Sequence, residues 1–153
     1  MDMPDHSAAR TWQWNVTRDY RAGSALAAEF LLSELRTKPG LLLCAATGNS
    51  PTLTYELFSR SVATDGVSTD EMLLLKLDEW GGLPMDDPAT CEHYLRKLLV
   101  QPLNIINNRF ISFQSDAPEP FGECHRVATW LHSHGPVDVC VLGLGTNGHI
   151  GFN

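Results

Sequence analysis

The apolar positions of this chain follow two patterns. Between residues 18 and 37, Ala25, Ala28, Leu31, Leu32 and Leu35 recur at the spacing of a single helix face, and "KPG" ends the run. Elsewhere the apolar residues form unbroken runs: "GLLLCAA" at 40–46, "MLLLKL" at 72–77 and "VDVCVLG" at 137–143. Runs that do not alternate predict strands buried on both faces. "RFISF" at 109–113 predicts a further strand, and "TWQWNV" at 11–16 predicts a short first one. Between the strands lie helical stretches. One is expected to start at Pro51 with Ser50 as N-cap. A second, capped by Thr90, carries Cys91, Tyr94, Leu95 and Leu98, and a third spans 119–135 up to Gly135-Pro136.

Strands alternating with helices predict an α/β fold, a parallel sheet with helices on both faces. Residues 11–153 are read as one domain, with 1–10 a frayed polar N-terminus. No apolar run approaches the ~20 residues that span a bilayer. The N-terminus lacks a basic-then-apolar leader pattern, so the expected location is cytoplasmic. Four cysteines without CxxC pairing are expected to be reduced core thiols. The net charge of −7 argues against nucleic acid and anionic membranes as partners. A small anionic ligand stays compatible with it, given local backbone N–H donors.

Parallel sheets bind ligands at the carboxyl ends of their strands, and three strands here end in unusual loops. "TGNSP" (47–51) feeds a helix N-terminus, so Thr47, Gly48, Asn49 and Ser50 can present N–H groups to an anion. It lacks the G-K-[ST] ending of a Walker loop, and a plain capped turn would also account for it. "DEWGGLP" (78–84) places two carboxylates at a strand end. Adjacent residues point opposite ways, so Asp78 is chosen as the base, with Glu79 turned to solvent or to a structural partner. "GTNGHIGFN" (145–153) sets His149 among glycines, where the backbone can approach a ligand closely. His132 and His134 are read as partners of the last carbonyls of their helix, and no second cluster completes a metal site with them. A phosphate cradle, a carboxylate base and an acid/base histidine on one sheet edge suit proton transfer beside the carbonyl of a phosphorylated sugar.

In this order and spacing, "ATGNSP", "LDEWGGLP" and "LGTNGHIGFN" resemble the glucosamine/galactosamine-6-phosphate isomerase (deaminase) family, with motif forms closer to the galactosamine-6-phosphate branch. The resemblance implies a Rossmann-like three-layer fold and a hexosamine 6-phosphate substrate. It implies ring opening, an aldose–ketose shift and loss of ammonia, without a cofactor or a metal. Asp78 then matches the base, His149 the ring-opening acid/base, Asn147 the residue that orients it, and Thr47 to Ser50 the phosphate loop. Homo-oligomerisation is left open. A 6-phosphogluconolactonase-type hydrolase and a non-catalytic sugar-phosphate-binding domain are the alternatives.

Two residues depart from the family pattern: Asn147 stands where aspartate is frequent, and Asn49 where glycine is. The family also continues past Asn153 with Glu-Pro, further strands and basic residues that meet the phosphate. The resemblance therefore implies the first part of a longer enzyme, inactive or prone to associate when isolated.

Overall fold

The computed structural model describes residues 13–152. Helix α1 (Tyr20–Thr37) leads into strand β1 (Leu42–Ala45), helix α2 (Asn49–Asp65) and strand β2 (Leu73–Lys76). The short helix α3 (Cys91–Leu95) runs on as one π-helical segment, Arg96–Val100. Strand β3 (Phe110–Ile111), helix α4 (Pro120–His134) and strand β4 (Val139–Val141) complete the order. All pairings are parallel, and the strand order is β3-β2-β1-β4.

That order decides where a ligand can sit. The chain steps outward from β1 to β2 to β3, then returns to the other side of β1 for β4. Connections diverge at the β1/β4 boundary and open a crevice beyond their carboxyl ends.

Successive residues of β1 explain the three layers. Leu41, Leu43 and Ala45 pack with α1, α2 and α3 through Leu31, Leu35, Tyr55, Phe58 and Leu95. Leu42 and Cys44 face the opposite way and pack with Leu75, Ile111 and Val127 of α4. A strand with a helix layer on each side needs apolar residues at every position, which is why these runs do not alternate. Among the described residues no helix is long and apolar enough to cross a membrane.

Several expectations are corrected. Residues 13–17 form no strand, and Trp14 is 88% exposed; Thr11 and Trp12 lie outside the described residues, as does the 1–10 segment. Nothing packs on this stretch to turn its aromatic residues inward. Cys44 and Cys91 are buried thiols, but Cys124 and Cys140 are exposed. Cys140 lies on β4, which among the described residues is paired along one edge only. Helix α2 begins two residues earlier than expected. Its N-cap is Gly48, at φ 106°, with Asn49 and Ser50 in the first turn and no side chain capping it. Proline is still tolerated there, since first-turn N–H groups have no intrahelical partner. Thr90 does cap α3, accepting from the His93 N–H at 3.1 Å.

The core makes a direct test. Phe58 is fully buried whereas Phe121 is 88% exposed. In denaturant unfolding, Phe58→Ala should cost about 3–5 kcal/mol, and Phe121→Ala no more than about 0.5 kcal/mol.

Candidate active site

The site is anchored by a charge inside the sheet. Lys76 closes the apolar run of β2, and its side chain is 0% exposed. Buried ammonium groups require partners. Lys76 Nζ donates to Glu79 Oε2, to the Phe113 carbonyl at 2.8 Å and to Glu92 Oε2 at 3.3 Å. Arg96 Nε closes the network on Glu92 Oε1 at 2.7 Å.

Glu79 is turned inward, to a structural partner. Besides Lys76 it accepts the N–H groups of Trp80 at 2.8 Å, Cys91 at 2.9 Å and Glu92 at 2.9 Å. It therefore caps the first turn of α3, where a carboxylate also meets the positive end of the helix. Burial alone would raise its pKa, but Lys76 and the three N–H donors outweigh that and hold it below the ordinary value.

With Glu79 turned in, Asp78 faces the crevice. Burial raises its pKa, the Glu79 charge adds to this, and Lys76 opposes it. Among the described residues no protein donor is within hydrogen-bonding distance of its carboxylate. A partly desolvated carboxylate facing a cavity is a candidate proton acceptor.

His149 is held by the turn after β4. Its backbone N–H donates to Asn147 Oδ1 at 3.3 Å, and its ring Nδ1 lies 2.5 Å from the same oxygen. An amide oxygen only accepts, so this pair places a proton on Nδ1. The Gly145 N–H donates to the His149 carbonyl at 2.9 Å and the Gly148 N–H to the Gly145 carbonyl at 2.9 Å. The ring packs against Gly145, where an added Cβ would sit 2.1 Å from its Cε1. Gly151, at φ 59°, brings the returning chain next to Asp78, where an added Cβ would lie 3.2 Å from Oδ2.

Asp78, His149, Thr47, Gly48, Asn49 and Ser50 line one cavity of about 370 Å³, together with Trp80 and Phe152. Asn147 stands behind His149 and does not line it. The Thr47 hydroxyl is engaged with Cys91 Sγ at 3.2 Å. No lysine or arginine lines the cavity among the described residues, so an anion there would rely on N–H groups and the α2 dipole. Trp80 and Phe152, with ring centroids 4.3 Å apart, form a wall shared with a neighbouring cavity of about 290 Å³. Both aromatic residues stand inside the motifs that carry Asp78 and His149, yet sequence reasoning passed over them. It also passed over Lys76, although a lone cation in an apolar run is a visible signal. His134 behaves as expected, lying 2.9 Å from the Trp130 carbonyl.

With this geometry in hand, known proteins can be compared. The family described as glucosamine-6-phosphate isomerases/6-phosphogluconolactonase matches residues 21–151. The chain belongs to this family. AgaI of Escherichia coli K12, a deaminase by name, is 42% identical over 88% of this chain and 53% of its own length. A glucosamine-6-phosphate deaminase of Streptomyces coelicolor is 37% identical over 90% of this chain and 53% of its own length. A monomeric glucosamine-6-phosphate deaminase of known structure superposes with a TM-score of 0.85 at 32% identity, over 89% of this chain and 56% of that one. A 6-phosphogluconolactonase from Plasmodium vivax, at 14% identity and TM-score 0.73, shares the fold. The chain spans about half the length of the curated relatives it matches.

The buried network and the histidine turn each make a prediction. Lys76→Met leaves the buried Glu79 without its cation and Glu92 with Arg96 alone, and should cost about 3–5 kcal/mol in denaturant unfolding. Glu79 holds its proton less firmly folded than unfolded. It therefore stabilises the fold above its ordinary value of 4.5, and that stabilisation is lost as pH falls through the lowered folded value. Acid unfolding of Glu79→Gln should lack this step. Gly145→Ala should displace the imidazole, seen as loss of the hydrogen-bonded His149 Nδ1–H signal in nitrogen-detected NMR.

Proposed function

We propose that the chain carries the first part of the active site of an amino-sugar-6-phosphate deaminase/isomerase. The observation behind this reading is the convergence of Asp78, His149 and the loop 47–50 on one cavity, with Glu79 tied away from it. The volume of about 370 Å³ suits a small ligand.

In this reading the phosphate ester rests against N–H groups in the first turn of α2. His149 Nε2 accepts the hydrogen of the C1 hydroxyl and returns it to the ring oxygen as the C1–O bond opens. Asp78 then removes the proton from C2 of the open aldehyde. The electron pair forms a C1–C2 double bond while the carbonyl pair moves to O1, which takes a proton from water. Asp78 then returns its proton to C1, and the amino nitrogen's lone pair forms the C2 iminium. The resulting C2 iminium takes up water and expels ammonia, leaving a ketohexose 6-phosphate. Every proton moves through the two side chains or water, so no cofactor or metal enters. Asn147 orients the ring through a neutral amide. Between the epimers, the motif forms favour galactosamine 6-phosphate over glucosamine 6-phosphate.

The test measures ammonia release from both hexosamine 6-phosphates. It uses this chain and a fusion of it to the C-terminal half of a glucosamine-6-phosphate deaminase. Asp78→Asn should lower turnover about 1,000-fold and leave binding of the phosphate ester intact. The same substitution should raise the thermal midpoint at pH 7, because ionising Asp78 in its partly desolvated place costs stability above its ordinary value of 3.8. Hydrolysis of a 6-phosphogluconolactone without ammonia release from either amino sugar would replace this reading with the lactonase one.

A further inference from the structure

The chain has three tyrosines, and all three hydroxyls meet backbone at the start of α2. Tyr55 donates to the Ala46 carbonyl at 2.9 Å. Tyr94 donates to the Gly48 carbonyl at 2.6 Å and accepts from Thr52 Oγ1 at 2.5 Å, which itself lies 2.9 Å from the same carbonyl. Tyr20 donates to the Asn49 carbonyl at 2.8 Å and accepts the Leu53 N–H at 3.2 Å. Its hydroxyl thus bridges two groups that an α-helix would join directly.

A trans peptide is planar, with its C=O and N–H pointing opposite ways. Pinning a carbonyl therefore aims the N–H of the next residue. Tyr55 aims Thr47, Tyr94 aims Asn49 and Tyr20 aims Ser50. None of the three tyrosines lines the cavity, whereas Thr47, Asn49 and Ser50 all do. The loop needs such restraint. Gly48 sits at φ 106° and ψ −179°, open ground that glycine enters and leaves freely. A rotated 48–49 peptide would turn a carbonyl oxygen toward an anion. Because the Tyr20 and Tyr94 contacts are solvent-exposed, water could satisfy those carbonyls equally well. Their contribution is orientation.

We infer that Tyr20, Tyr55 and Tyr94 are positioning residues that turn the carbonyls of Ala46, Gly48 and Asn49 away from the cavity, so that the loop presents only donors to a phosphate group. This rests on the proposed function, since it assigns that site its anion selectivity.

The test uses the chain labelled with 3-fluorotyrosine, which gives one fluorine resonance per tyrosine. It is titrated with inorganic phosphate and with galactosamine 6-phosphate. The Tyr20 and Tyr94 resonances should shift with a common saturation. Tyr20→Phe and Tyr94→Phe should each weaken both ligands roughly 3- to 10-fold, with the thermal midpoint unchanged and with the Asn49 or Ser50 amide proton displaced in the free protein. If either variant loses cooperative unfolding, Thr52→Val carries the same expectation, because it removes the hydroxyl that holds the Tyr94 hydroxyl on the Gly48 carbonyl. Unchanged affinity in the variants would overturn the inference and leave the proposed function standing. So would an equal loss of affinity for phosphate-free galactosamine. Absence of saturable binding of either phosphate by the unsubstituted chain would overturn both.

Discussion

The arrangement depends on one buried ion pair. Lys76 sits under the carboxyl end of β2 with no access to water, and Glu79 answers it from the loop above. Desolvating both groups is expensive, and a well-packed apolar pair would serve stability as well. What the pair provides is direction. By drawing Glu79 into the sheet it turns the neighbouring residue outward, so Asp78 meets the crevice. Two adjacent carboxylates acquire opposite fates, one held ionised by four donors and the other left in a poorly solvated place with none.

The sheet supplies position and the loops supply chemistry. Strand order β3-β2-β1-β4 opens a crevice where the connections diverge. The β1 loop brings backbone donors, the β2 loop a carboxylate and the β4 loop an imidazole. None of these elements is unusual alone. Their shared cavity, in a member of the glucosamine-6-phosphate isomerase/6-phosphogluconolactonase family, carries the functional reading.

Much of this was legible in the residues. Unbroken apolar runs announced buried parallel strands, because local burial on both faces leaves no polar position. Alternation of side chains separated Asp78, which lines the cavity, from Glu79, which is bonded to Lys76. The failures are of another kind. Tyr20 reaches Asn49 across 29 positions and Tyr94 reaches Gly48 across 46, separations that no periodicity encodes. Cys140 sits in an apolar run yet is exposed, since burial of an outer strand depends on what lies beside it in space. Helix α2 began early because the freedom of Gly48 outweighed the capping preference of Ser50.

Helix α3 has five residues and no ligand-facing side chain in the 370 Å³ cavity, yet it touches both ends of the crevice. Its first N–H groups are fastened to Glu79, next to Asp78. Cys91 meets Thr47, and Tyr94 grips Gly48. The short helix is therefore a spacer of fixed length between Asp78 and the loop 47–50. A change in the length of this helix would alter the separation between Asp78 and residues 47–50, although none of its side chains lines the cavity.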